Sequence, residues 1–105
     1  MTYDRKADIM HNPAHPGAIL KEDVLKPLNM TVTEFAKKLK ISRQVLSGIL
    51  NEKIAISPAM ALKLAKALNT SAGSWLSMQM QYDLWQAMQV ISVNDVEVIN
   101  KSEAA

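Results

Sequence analysis

The sequence predicts an all-α fold of five helices, and three observations carry that prediction. Apolar residues recur at steps of three and four through most of the 105 residues, as on the buried face of an amphipathic helix. Serine, threonine or proline stands at the start of each such stretch, where helices take their caps. Alternation typical of a strand is confined to residues 90–99, where valine and isoleucine alternate with acidic side chains. A short C-terminal strand is therefore expected as an additional element.

The first predicted helix begins at Pro16, because the missing donor of proline costs nothing in the first helical turn. Pro27 is expected to end this helix, since proline removes a hydrogen bond and clashes with the preceding turn. The apolar stripe between them consists of Ile19, Leu20, Val24 and Leu25.

Residues 31–51 are predicted to form two short helices joined by a tight turn. Thr31 and Glu34 have the spacing of a capping box, and Ser42 can cap the second helix. A residue as small as Ala36 lets the two helices cross closely. The inward positions are Phe35, Ala36 and Leu39 on the first helix and Val45, Leu46, Ile49 and Leu50 on the second. This combination predicts a helix-turn-helix.

The residues left outside on the second helix are of types that read DNA bases. Arg43 could bond guanine with two hydrogen bonds, Gln44 suits adenine, and Ser47 can donate or accept at several bases. The alternative is an ordinary helical hairpin inside a small bundle. Gly48 either lets the backbone approach a duplex closely or only weakens the helix by roughly 1 kcal/mol, and both readings stay open.

Candidate phosphate contacts surround this helix. Asn51 and Lys53 lie in the loop that follows it and are opposed by Glu52, so a plain solvated loop is the alternative. Lys40 lies in the turn, where its charge could meet a phosphate. The predicted phosphate contacts are Lys38, Lys40, Ser42, Asn51 and Lys53.

Two further helices complete the prediction. Ser57 followed by Pro58 is a strong start signal for the fourth helix, and Ser71 is expected to cap the fifth. The fourth helix should cover the motif with Ala61, Leu62, Leu64, Ala65 and Leu68.

The fifth helix is apolar on nearly every side, more than so small a chain is expected to bury by itself. We therefore expect it to form the seam of a homodimer, and the strand-like tail could pair across that seam. The predicted dimer contacts are Trp75, Tyr82, Trp85, Met88, Val96 and Val98.

The chain is expected to divide into a flexible N-terminal arm (1–14), a helix-turn-helix domain (15–89) and a C-terminal tail (90–105). The arm has no apolar run, so no signal peptide is expected, and no stretch approaches the roughly 20 apolar residues that span a bilayer. With no cysteine, the chain fits a reducing compartment. These observations predict a soluble, cytoplasmic protein that does not enter a membrane.

Charge is unevenly distributed along the chain. The net charge is only +2, but residues 1–70 carry +5 and residues 71–105 carry −3. A positive region turned toward phosphates and a negative region turned away would orient the molecule as it meets DNA. Small proteins can show such asymmetry by chance.

No catalytic constellation is recognisable, because cysteine, a glycine-rich phosphate loop and a histidine placed beside a carboxylate are all lacking. The two histidines, His11 and His15, are four residues apart, but Pro13 and Pro16 oppose the helix that a metal pair would need. We therefore expect no enzyme activity, no cofactor and no metal.

Residues 31–51 resemble the helix-turn-helix of the Cro/C1 class, also called the xenobiotic-response-element class. With its flanks, from about residue 14 to 87, the chain is similar to HigA-type antitoxins, the virulence-associated protein I family. The flanking segments that carry this resemblance are Ala14-His15-Pro16-Gly17, Leu20, Ile56-Ser57-Pro58, Met60-Ala61-Leu62, Leu64-Ala65, Trp75-Leu76 and Tyr82-Asp83-Leu84-Trp85. The implied fold is a five-helix Cro/C1-type helix-turn-helix bundle.

The resemblance implies a dimer that binds double-stranded operator DNA, represses its own operon and neutralises a RelE-like mRNA-cleaving toxin. We expect the toxin on the N-terminal arm and first helix. A solitary repressor without a toxin, and an interaction module that has lost DNA binding, remain alternatives.

The sequence departs from the family pattern at three places. Lys40 stands where a glycine is usual, so either it takes a strained left-handed conformation, at a cost on the order of 1 kcal/mol, or the turn differs. Val32 replaces a polar phosphate-binding residue of the wider class. Ala72 and Gly73 replace a proline and an acidic residue after the last cap.

Overall fold

The structure, a computed structural model, describes residues 11–100, and these form five helices. The first helix, α1, runs without a break through three segments, Pro16–Ile19, Leu20–Leu25 and Lys26–Leu28. The others are α2 (Val32–Leu39), α3 (Arg43–Leu50), α4 (Pro58–Leu68) and α5 (Ala72–Val90). The helix-turn-helix therefore consists of α2 and α3, as predicted.

The predicted caps are confirmed. At α2 the Thr31 hydroxyl accepts from the Glu34 amide at 3.1 Å, and a Glu34 carboxylate oxygen accepts from the Thr31 amide at 2.9 Å. The hydrogen bond from the Thr31 amide to its carboxylate, followed by the effect of the Thr31 side chain, lowers the pKa of Glu34. The hydroxyls of Ser42, Ser57 and Ser71 each accept from the amide three residues later. Each cap satisfies a donor that the first helical turn leaves unpaired.

The first helix continues through Pro27, so the prediction that it ends there is wrong. Its middle segment, Leu20–Leu25, is π-helical, and the Lys26 amide donates to the carbonyl of Lys21, five residues back. Proline in an α-helix clashes with the carbonyl four residues before it, and a wider turn leaves room for the ring. The helix ends where Asn29 takes the left-handed conformation, with φ of 51°.

All five helices contribute to one apolar core. Its buried side chains are Leu20, Leu25, Phe35, Ala36, Leu39, Leu46, Ile49, Leu50, Ile56, Met60, Ala61, Leu64 and Trp75. Gly17 lets the start of α1 lie directly on the end of α3, because a Cβ at this position would overlap the carbonyl oxygen of Ile49. The core thereby holds the two motif helices between α1 and α4.

Two residues predicted to be buried are exposed. Val45 is 38% exposed and Leu62 is 66% exposed. Each residue turns an α-helix by about 100°, so Val45 is rotated away from Leu46, and Leu62 lies about 200° from Leu64. The inner faces of α3 and α4 are already set by those fully buried leucines.

Buried polar contacts join the two ends of the domain. His15 is 3% exposed, and its Nδ1 accepts from the Gly17 amide at 2.9 Å as the N-cap of α1. Gln79 of α5 accepts from the Ile56 amide at 2.8 Å and donates to Asp83 at 2.9 Å. Its Nε2 lies 3.5 Å from His15 Nε2. These contacts fix α1 and the loop before α4 against the last helix.

Burial lowers the pKa of His15, while the charges of Glu52 and Asp83 act in the opposite direction. The rings of His15 and Tyr82 also pack in a T-shaped arrangement, with centroids 4.8 Å apart. The capping role of His15 was not predicted from the sequence, because the residues usually found at helix N-caps are Ser, Thr, Asp and Asn.

The predicted C-terminal strand is absent from the described residues, so that prediction is wrong for the single chain. Val90 is the last residue of α5, and residues 91–100 are exposed and irregular. A turn lies within them, where the Val96 amide donates to the Val93 carbonyl at 3.0 Å. A strand needs a neighbouring strand to take up its backbone hydrogen bonds, and this segment has none in residues 11–100.

Residues 11–14 of the predicted arm lie against α5. Pro13 is buried, and the rings of His11 and Trp85 pack in a T-shaped arrangement with centroids 4.6 Å apart. Residues 1–10 of the arm and residues 101–105 of the tail lie outside the described residues. Within residues 11–100, no helix has the length and apolar character to cross a bilayer.

Candidate nucleic-acid interface

The turn of the motif brings α3 to the surface of the domain. Lys40 has a φ of 59°, so it takes the left-handed conformation, the first of the two options that the sequence left open. The Ile41 amide donates to the Ala36 carbonyl at 3.1 Å, which closes the turn. Lys63 of α4 donates to the Lys40 carbonyl at 3.2 Å. The turn is therefore held by both its own helix and α4.

The three predicted base-reading residues lie away from the core side of α3. Arg43 and Gln44 are exposed. Ser47 is half-buried, and its hydroxyl accepts from the Asn51 side-chain amide at 3.3 Å. Because Leu46, Ile49 and Leu50 are buried in the core, the helix cannot turn these polar residues inward without losing its packing.

All five predicted phosphate contacts are exposed: Lys38, Lys40, Ser42, Asn51 and Lys53. The Ser42 hydroxyl accepts from the Val45 amide at 3.1 Å, but an accepting hydroxyl keeps its own proton to donate to a phosphate oxygen. Val32, which departs from the family pattern, packs against the core. The side chains of Lys38, Lys40 and Lys53, in contrast, are exposed and take no part in the core.

Two lysines missed by the sequence reasoning extend the cationic surface. Lys63 and Lys66 of α4 line a groove together with Lys38, Leu39, Lys40 and Ala67. The spacing of lysines along the chain gives no signal for this meeting, because the two pairs are more than 20 residues apart in sequence. It follows only from the packing of α4 on α2.

The predicted dimer contacts differ in exposure within the single chain. Trp75 is 4% exposed within the single chain, and its indole N–H donates to the Thr70 hydroxyl at 2.8 Å. Its ring belongs to the core of its own chain, so its role within the single chain is structural. Tyr82, Trp85 and Met88 are half-buried, and Val96 and Val98 are exposed.

Among residues 11–100, no three side chains capable of binding a metal ion lie together. The lowered pKa of His15 has a structural cause, because this residue is buried as the N-cap of α1. The chemistry that this surface offers is therefore an exposed set of hydrogen-bonding and cationic side chains on and around α3.

Comparisons with known proteins agree with this geometry. The family described as Helix-turn-helix matches residues 21–75. The virulence-associated protein A of Dichelobacter nodosus is 50% identical over 76 residues, which cover 71% of this chain and 74% of that protein. The antitoxin HigA-1 of Vibrio cholerae serotype O1 is 33% identical over 73 residues, which cover 70% of this chain and 69% of the antitoxin.

A solved structure of Pseudomonas aeruginosa antitoxin HigA with the higBA promoter matches with a TM-score of 0.71 and 34% sequence identity. The match covers 73% of this chain and 84% of that chain. The chain therefore belongs to the Cro/C1 helix-turn-helix class and, within it, to the HigA-type or virulence-associated protein I family of DNA-binding regulators, which are not enzymes.

Proposed function

We propose that the chain is the antitoxin of a type II toxin–antitoxin pair, which binds a RelE-like mRNA-cleaving toxin and represses its own operon as a DNA-binding dimer. The observation that carries the DNA-binding part is the outward position of Arg43 and Gln44 on a capped, well-packed helix. The antitoxin part is supported by the related HigA antitoxins, one of which has been solved with its promoter.

In this proposal the start of α3 enters the major groove. Arg43 bonds the two acceptors of a guanine, Gln44 pairs with an adenine, and Ser47 reads a neighbouring base. Phosphate contacts fix the register of the helix but carry no sequence information. They are assigned to Lys38, Lys40, Ser42, Asn51 and Lys53.

The dimer places two copies of α3 in successive major grooves, with half-sites about one helical turn apart. We assign the seam to the outer part of α5 and the tail after it. The support is apolar surface that the described chain leaves uncovered, including Met80, Val90 and Ile91. Tyr82, Trp85, Met88, Val96 and Val98 are the proposed contacts.

The toxin is assigned to the outer face of α1 and the arm before it. This face carries Lys21, Glu22, Asp23 and Lys26, all exposed. This face of α1 is a different surface from the exposed side of α3, whereas the arm reaches the proposed seam, where His11 packs on Trp85. A toxin bound there leaves the DNA-reading residues accessible.

DNA binding is tested with a labelled duplex from the region upstream of the gene, against a scrambled duplex of equal length. Affinity for the upstream duplex should exceed that for the scrambled one, and both should fall steeply between about 50 and 200 mM salt because phosphate contacts release counterions. Equal, salt-insensitive affinities for the two duplexes would contradict operator binding and favour an interaction module.

Toxin binding is tested by co-expression with each neighbouring reading frame and purification through a tag on this chain. The expected result is a stable complex with one small neighbour, whose cleavage of mRNA in cell-free translation stops when this chain is added. Operator binding with no such complex would contradict the antitoxin assignment and leave a solitary repressor.

A further inference from the structure

Gly48 lies on α3 beside Ser47, and another residue occupies the space where its side chain would be. A Cβ built at position 48 would overlap the Cδ1 atom of Ile54 and would lie 2.7 Å from its Cγ1. The side chain of Ile54 therefore covers Gly48 directly. Any larger residue at position 48 would displace it.

The loop between α3 and α4 holds Ile54 in this position. The amides of Lys53 and Ile54 both donate to the carbonyl of Gly48, at 2.8 and 3.1 Å. Glu52 has a φ of 64°, and this left-handed residue turns the chain back over the helix. The isoleucine is thus tied to Gly48 by backbone hydrogen bonds as well as by packing.

The covered position faces outward with the candidate base-reading residues. Gly48 follows Gln44 by four residues, so the two lie on the same side of α3, one turn apart. Ile54 is 39% exposed, so part of the side chain that covers Gly48 remains open to solvent on this face. In effect, Ile54 supplies an aliphatic side chain at a place where α3 itself has none.

We propose that Ile54 is a specificity-determining residue that contacts the 5-methyl group of a thymine in, or next to, the base pair met by Gln44. This inference rests on the proposed operator binding. In the major groove the thymine methyl is the apolar feature that distinguishes thymine from cytosine, and aliphatic side chains read it by contact. Gly48 then serves neither of the two roles considered from the sequence, because its lack of a side chain makes room for Ile54.

The test uses a duplex selected by the wild-type chain from a random-sequence pool. In this duplex each thymine is replaced in turn by uracil, which removes only the methyl group. Burial of one such group is worth about 0.8 kcal/mol, so one replacement should weaken wild-type binding about four-fold. Replacements outside the contacted base pair should have no effect.

Ile54→Ala should bind the thymine and uracil duplexes equally, and Ile54→Val should retain part of the preference. Arg43→Lys, which disturbs a different proposed contact, should keep the full thymine preference. Wild-type binding that is unaffected by every uracil replacement would overturn the inference, as would an Ile54→Ala variant that keeps the four-fold preference. If the pool yields no enriched sequence, the proposed operator binding fails and the inference fails with it.

Discussion

His15 caps the first helix with a nitrogen that must stay unprotonated to do so. Its Nδ1 accepts from the Gly17 amide, and a proton on Nδ1 would turn this acceptor into a donor facing a donor. Burial lowers the pKa of His15 below its ordinary value of 6.5, so the folded chain binds this proton less readily than the unfolded chain does. The cap therefore makes stability depend on pH.

The neutral His15 cap should contribute its full stabilisation to the free energy of unfolding above about pH 6.5. This stabilisation should be lost as the pH falls toward the lowered pKa of His15 in the folded chain. His15→Asn keeps a capping side chain without a titrating group, so this component should disappear from denaturant titrations between about pH 8 and 5. His11→Asn, the control, should retain it. A difference between wild type and His15→Asn that does not change with pH would contradict this role.

Gly17 and Gly73 form a matched pair for testing close packing. A Cβ at Gly17 would overlap the Ile49 carbonyl oxygen, whereas a Cβ at Gly73 meets nothing within 4 Å. Gly17→Ala should lower the free energy of unfolding by about 1–3 kcal/mol or more. Gly73→Ala should raise it by up to about 1 kcal/mol, because alanine is the better helix former. Equal effects in urea titrations would refute the proposed contact between α1 and α3.

At the scale of single helices, the sequence predicted what depends on neighbours in the chain. The capping residues Thr31, Ser42 and Ser57 act on amides three positions away, so their spacing is sufficient to locate each helix start. The prediction that Pro27 ends α1 was wrong because no local sequence pattern indicates the π-helical turn that accommodates its ring. The exposure of Val45 depends on the rotation of α3 about its own axis against the neighbouring helices. The periodic pattern of apolar residues determines this rotation only to within one residue position.

Substitution of Lys40 should affect both the stability of the chain and its proposed binding to the DNA backbone. The φ of Lys40, 59°, is strained for lysine and free of strain for glycine. Lys40→Gly should therefore raise the free energy of unfolding by about 1 kcal/mol. The same change removes a proposed phosphate contact, so the slope of log affinity against log salt should become shallower by about 0.9 for each protomer.

Lys40→Arg is the control, because it keeps the charge and has the same backbone preference. Stability in denaturant and the salt slope should both match wild type. A Lys40→Gly variant that is more stable but has an unchanged salt slope would show that Lys40 does not contact a phosphate.

At the scale of the whole molecule, the order of helices and the outward set on α3 followed from the sequence, but contacts between distant segments did not. Trp75 and the outer aromatic residues of α5 have the same apolar character, and only the packing separates the core residue from the others. The placement of Ile54 over Gly48 and of Lys63 beside Lys40 likewise arises where separate elements meet. Hydrophobic periodicity carries no information about such meetings.

The tail provides a test of the dimer that leaves the fold intact. Val96 and Val98 are 68% and 69% exposed, so replacing both with aspartate should not change the thermal unfolding midpoint at low concentration. If the tail lies in the seam, burying two carboxylates there is costly, and the double variant should shift toward monomer in sedimentation. A fully dimeric double variant would exclude the tail from the seam.

The central claim is that Arg43 reads a base edge, and operator affinity measured against all four base pairs at each position tests it most directly. Arg43→Ala should lose roughly 1–3 kcal/mol for the operator and relax the preference at one position. Arg43→Lys keeps the charge but lacks the two-pronged geometry, so it should lose the same preference while retaining the salt dependence. Unchanged affinity and unchanged preference at every position in both variants would contradict the account.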